Sequence, residues 1–92
     1  MNVGIVAQRD NDRAMGLAST LAERLRGVSA TVAVDETTGS ALVDHGAWEA
    51  PRPSSRPVDT MGECALVVSI GGDGTFLYAA RGAGSTPIMG VN

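Results

Sequence analysis

The chain reads as a small α/β domain: a parallel sheet of about four strands flanked by helices. Three observations predict this. Apolar strand-length runs alternate with helical spacing along the chain. The first 34 residues form one strand–helix–strand unit, which implies a right-handed crossover between parallel strands. The apolar run Cys64 to Ile70 reads as a buried strand, and a helix follows it.

Val3-Gly4-Ile5-Val6-Ala7 is the first strand. Gln8 to Asp12 is a polar loop, and Asp12 is the candidate cap of the next helix. Ala14, Leu17, Ala18, Leu21, Ala22 and Leu25 recur at helical spacing on one face. Arg13, Glu23 and Arg26 fall on the other. Gly27 is expected to end the helix in a left-handed conformation. Val28 to Val34 is the second strand. Asp35 to His45 is a weak helix candidate, because Gly39 and two threonines interrupt it.

The segment Gly46 to Gly62 contains Pro51, Pro53 and Pro57 with Ser54, Ser55 and two arginines. Its composition predicts an extended or mobile loop. Trp48 on its edge is expected to pack, and His45, without metal-ligand partners, to lie on the surface. Cys64 to Ile70 is the third strand, Thr75 to Arg81 a helix ended by Gly82 and Gly84, and Pro87 to Val91 the fourth strand. One polar residue, Asn92, follows. Sites in open parallel sheets form beyond the carboxyl ends of strands. The chain is therefore expected to be a fragment of a longer protein, or a dissected domain.

Composition limits the function classes. The 92 residues carry seven positive side chains against ten acids, a net charge of −3. All seven are arginine; lysine is absent. Such a balance gives no basic footprint for nucleic acid. It fits either an acidic surface suited to high salt or a GC-rich codon bias. Cys64 is the single cysteine, so no internal disulfide forms, and its apolar surroundings predict an inert core thiol. No run of 18 apolar residues and no signal pattern occurs, so a cytoplasmic protein without a membrane span is expected.

The informative stretch is Ser69-Ile70-Gly71-Gly72-Asp73-Gly74-Thr75, between a strand and a helix. Gly71 and Gly72 allow a phosphate to approach the main chain. Free N–H groups there and at the helix start form an anion site aided by the helix dipole. Thr75 offers a hydroxyl to a phosphate or caps the helix. Asp73 is repelled by phosphate, so its presence needs a reason: it accepts a proton from an attacking hydroxyl, or it holds Mg²⁺. A common glycine turn joining strand to helix is the plainer alternative. No Walker lysine occurs, and the glycine spacing does not match the dinucleotide fingerprint.

Gly71-Gly72-Asp73-Gly74-Thr75 in this setting resembles the signature of NAD kinases and their relatives, the diacylglycerol- and sphingosine-type lipid kinases and the phosphofructokinases. Val3 to Arg9, Val32-Ala33-Val34-Asp35, Ala79-Ala80-Arg81 and Thr86 to Asn92 are similar to the flanks of NAD kinases in particular. The resemblance implies a Rossmann-like, phosphofructokinase-like N-terminal domain over 1–92. It further implies transfer of a phosphoryl group from ATP (or polyphosphate) to the 2′-hydroxyl of the adenosine ribose of NAD, with Mg²⁺. Asp73 would be the catalytic proton acceptor. Gly71, Gly72, Asp73, Gly74, Thr75, Leu77 and Asn92 would bind nucleotide, and no residue of this chain is assigned as a metal ligand. Tyr78 stands where the family often has a basic residue. The resemblance also implies a β-rich C-terminal domain that completes the site and mediates homo-oligomer formation, so that this piece alone is inactive. A lipid or sugar kinase of the same superfamily is one alternative. A non-catalytic module, suggested by Asp10 and Asp12 after the first strand, is the other.

Overall fold

The computed structural model describes residues 1–44, 46 and 54–92. The elements are β1 (Asn2–Ala7), α1 (Asp12–Gly27), β2 (Thr31–Asp35), α2 (Glu36–Asp44), β3 (Ser54–Arg56), a 3-10 helix (Val58–Glu63), β4 (Leu66–Ile70), α3 (Asp73–Ala83) and β5 (Ile88–Val91). They form one sheet in the order β3-β2-β1-β4-β5. Every pairing is parallel. The parallel α/β architecture is as expected, with five strands rather than about four.

The additional strand is β3, three residues paired only with β2 at the sheet edge. Its Ser-Ser-Arg sequence carries no apolar signal, so the stretch reads as part of a proline-rich loop. The segment after it forms the 3-10 helix, which corrects the loop assignment over Val58 to Gly62. Pro57 starts the 3-10 helix at φ −55°, and its carbonyl accepts from both the Thr60 N–H (2.9 Å) and the Thr60 hydroxyl (2.7 Å). Met61 from this turn is fully buried. His45, Trp48, Pro51 and Pro53 lie outside the described residues.

Side-chain alternation along the strands builds two cores, one on each face. Val3, Ile5 and Ala7 of β1 join Val32, Val34, Val68 and Ile70 against Ala14, Met15, Ala18 and Ala22 of α1 and Leu42 of α2. Val6, Ala33 and Val67 face the other way, onto Met61, Cys64, Ala79 and Ala83. Cys64 is thus a buried core thiol outside any disulfide.

Helix α1 departs from the expected detail at both ends. The N-cap is Asn11, not Asp12: the Asn11 Oδ1 accepts from Ala14 N–H at 3.0 Å, and Asp12 is the first helical residue. At the other end Gly27 is still helical, and Ser29 takes the positive φ of 64°. The Ala30 N–H then reaches back to the Leu25 carbonyl (2.9 Å), which satisfies a helix-end acceptor and delays β2 to Thr31.

The leucine row of α1 lies at the margin of its core. Leu17, Leu21 and Leu25 line an apolar groove of 390 Å³ with Val68, Met89 and Val91. α1 and α2 cover the β1–β2–β3 half of their face, and the groove runs over the β4–β5 half. Among the described residues no helix is long and apolar enough to cross a membrane.

On the opposite face α3 approaches the 3-10 helix at van der Waals distance through its glycines. A Cβ on Gly82 would lie 2.1 Å from the Val58 carbonyl oxygen, and one on Gly62 3.2 Å from the Ala83 carbonyl oxygen. Gly82 therefore sits inside the helix for packing. Gly84, at φ +58°, is the residue that closes it.

Candidate functional site

The sheet order reverses direction between β1 and β4. Crevices at such points, beyond the carboxyl ends of the strands, are where open α/β sheets take ligands. The Ile70–Asp73 turn lies there. Two main-chain bonds hold it: Gln8 N–H to the Ile70 carbonyl (2.9 Å), and Gly71 N–H to the Val91 carbonyl (2.8 Å). The ends of β1, β4 and β5 are thereby joined under the turn.

Gly71 adopts φ +146°, a region that side chains disfavour. Space there is also closed. A Cβ would sit 2.7 Å from Gln8 Cβ and 3.0 Å from both Gln8 Oε1 and Thr75 Oγ1. Gly72 is the N-cap of α3 and supplies no side-chain acceptor to the helix start. Its N–H donates to Gln8 Oε1 at 3.3 Å, and its carbonyl accepts from Phe76 N–H at 3.1 Å. The helix begins at Asp73, two residues before the expected start at Thr75. Asp73 is solvent-exposed in the first turn, where the positive end of the helix dipole favours a carboxylate.

The turn separates two clefts. One, of 320 Å³, lies beside α1 and is lined by Asn11, Arg13, Ala14, Ile70, Gly71 and Asn92. The other, of 230 Å³, lies beside α3 and includes Gly74, Thr75, Tyr78, Arg9, Asp35 and Thr37. Gly71 and Asn92 thus open onto the first cleft, and Gly74 and Thr75 onto the second. Gly72 and Asp73 are exposed at the turn between them and line neither. Leu77, 63% exposed, lies outside both.

Arg9 and Arg13 are the cationic side chains lining these clefts. Arg9 approaches Asp10 only to 4.0 Å, with both side chains largely exposed, a pairing worth little. Both arginines therefore remain available to an anion.

Asp35 was not among the expected site residues, and it is the most unusual ionisable group here. It ends β2 fully buried. Its carboxylate accepts from the Thr38 N–H (3.3 Å) and lies in short contact with the Thr38 hydroxyl. That hydroxyl in turn accepts from the Ala7 N–H (2.9 Å) and faces the Ala7 carbonyl (3.3 Å). Burial raises the Asp35 pKa above its ordinary value; the bonds from Thr38 oppose this and do not cancel it. The single Thr38 hydroxyl hydrogen serves either Asp35 or the Ala7 carbonyl at one time, not both. The network ties the start of α2 to the end of β1, at the floor of the second cleft. An acid closing an apolar strand was the available sequence signal.

Among the described residues no group of three or more His, Cys, Asp or Glu could hold a metal ion.

Fold and site together define an open α/β domain of the kind that binds its ligand at the strand-order switch, with a glycine turn and an acid placed there. The chain belongs to the NAD kinase family: residues 3–92 match the ATP-NAD kinase N-terminal domain. It is 77% identical over its whole length to an NAD kinase of Haloarcula marismortui, of which it covers 32%. It is 54% identical to the NAD kinase of Halobacterium salinarum and 45% identical to that of Halorubrum lacusprofundi, covering 30% and 31% of those proteins. The chain thus spans about a third of the length of these relatives.

Proposed function

We propose that the protein containing this chain phosphorylates the 2′-hydroxyl of the adenosine ribose of NAD, with ATP as donor, to give NADP. The observation that carries this reading is the turn itself. It places an exposed carboxylate at the first position of a helix whose N-terminal N–H groups are suited to phosphate.

Phosphoryl transfer depends on position and charge neutralisation more than on covalent chemistry. The backbone N–H groups of Gly72, Gly74 and Thr75 receive phosphate oxygens, and Gly71, whose own N–H is bound to the Val91 carbonyl, leaves room for their approach. Arg9 and Arg13, flanking the turn on its two sides, neutralise charge in a chain without lysine. Asp73 orients the ribose hydroxyl and takes its proton as the new P–O bond forms, because an unassisted sugar hydroxyl is too weak an acid to ionise first. Leu77 and Asn92 contribute binding surface on either side. Mg²⁺ would fit this site as an ion carried by the substrate phosphates and water, since Asp73 stands at the turn and no cage of carboxylates forms among the described residues; bound there, it would offset phosphate charge. The remaining two thirds of the protein completes the NAD site and forms a homo-oligomer, and the 92-residue piece alone does not turn over.

The test is Asp73→Asn in the full-length protein. Loss of a general base costs about 10²–10⁴-fold in rate. Turnover is expected to fall at least about 100-fold while calorimetry still detects NAD binding. Turnover within about threefold of the parent would remove Asp73 from the chemistry. A panel of NAD, diacylglycerol and sugar acceptors separates this reading from the other kinases of the superfamily.

A further inference from the structure

The donor that the turn presents to an anion already has a partner. Gly72 N–H donates to the side-chain oxygen of Gln8 at 3.3 Å. A backbone N–H requires an acceptor, so the amide oxygen rather than the amide nitrogen faces it. Gln8 is held to deliver that oxygen. Its N–H is bound to the Ile70 carbonyl (2.9 Å), and its carbonyl accepts from Asn11 N–H (3.2 Å). The same oxygen would come within 3.0 Å of a Cβ on Gly71, as would the Thr75 hydroxyl. The main chain of Gln8 is therefore fixed by two bonds, while its side chain is solvent-exposed and able to rotate away.

We infer that Gln8 is a positioning residue: its amide oxygen occupies the place of a phosphate oxygen at Gly72 and leaves when a polyphosphate binds. This rests on the reading of the turn as a polyphosphate site. The exchange is favourable in direction. A phosphate oxygen makes a charge-assisted bond to an N–H, about twice as strong as the bond to a neutral amide oxygen. The helix dipole behind Gly72 favours the anion as well. Until then Gln8 restrains two consecutive glycines, which are otherwise the most conformationally free residues of the site.

The test uses the full-length protein, inorganic tripolyphosphate as the probe, and two variants at an exposed position. Gln8→Met has nearly the same shape without the acceptor. It frees the N–H and is expected to tighten tripolyphosphate about three- to fivefold, the equivalent of one competing neutral hydrogen bond. Gln8→Glu holds the N–H more firmly and repels the anion, and is expected to weaken binding at least about tenfold. In the ligand-free protein the Gly72 amide should exchange faster in Gln8→Met than in the parent. Tripolyphosphate should slow it in both, a signature that a merely structural role for Gln8 would not produce. Equal affinity in all three proteins, weaker binding by Gln8→Met, or Gly72 exchange indifferent to that change would each overturn the inference and leave the turn's role standing. Failure of the parent to bind tripolyphosphate would overturn both.

Discussion

Gly82→Ala is a stringent test of how α3 is seated. The new methyl would start 2.1 Å from the Val58 carbonyl oxygen, 2.7 Å from its carbon and 2.8 Å from Val58 Cγ2. Two of these three atoms are backbone, so no rotamer change relieves the clash. The helix must move by about 1 Å to reach even a tight contact. Such overpacking costs about 1–3 kcal/mol. Alanine returns about 0.8–1.0 kcal/mol of helix propensity. A net loss of up to about 2 kcal/mol follows, or a fall of up to about 15 °C in Tm for a domain of this size. Gly16→Ala is the matched control, because a Cβ there meets nothing within 4 Å. It should keep the propensity gain and stabilise by about 0.5–1 kcal/mol. Thermal unfolding followed by circular dichroism at 222 nm reads both. If the two variants shift Tm in the same direction by similar amounts, the α3 contact does not constrain the fold as argued.

Asp35→Asn should alter pH dependence. The folded-state pKa of Asp35 is raised, so its stabilising contribution is complete below the unfolded value of about 3.9 and is lost as pH rises through the folded value. The asparagine variant lacks that loss, and the Tm difference between the two proteins should change progressively as pH rises above the unfolded value; parallel profiles would refute the linkage. Asn11→Ala removes the α1 cap and should cost about 1 kcal/mol in urea unfolding, whereas Asp12→Ala should not reproduce a cap loss.

Legibility followed the physics of each segment. β1, α1, β4 and β5 were readable because long apolar runs and helical spacing are imposed by burial on known periods. The ends were less readable. Asn11 and Asp12 are both good caps, and only the bond to Ala14 distinguishes them. Ser29 took a conformation for which glycine was available two residues earlier. β3 is defined by pairing to β2 at the edge, a long-range fact that three polar residues cannot announce. The glycine turn and its acid were visible as a string. That the turn divides two clefts was not, since it depends on the parallel packing of β1 against β4. Helical spacing puts Leu17, Leu21 and Leu25 on one face of α1, but periodicity is silent on how much sheet lies beneath that face.

The wedge at the far end of α3 reaches beyond folding. Gly82 and Asp73 are nine residues apart on one rigid rod, about 14 Å of helix. Displacing one end by about 1 Å tilts that rod by about 4°, and the acid at its tip inherits the swing. On the proposed role of Asp73, its aim at a substrate oxygen would be governed partly from Gly82, at the other end of the same helix. Loss of turnover in the full-length protein would then trace to Val58, Gly62 and Gly82 as well as to the signature, and a survey confined to cleft-lining positions would overlook it.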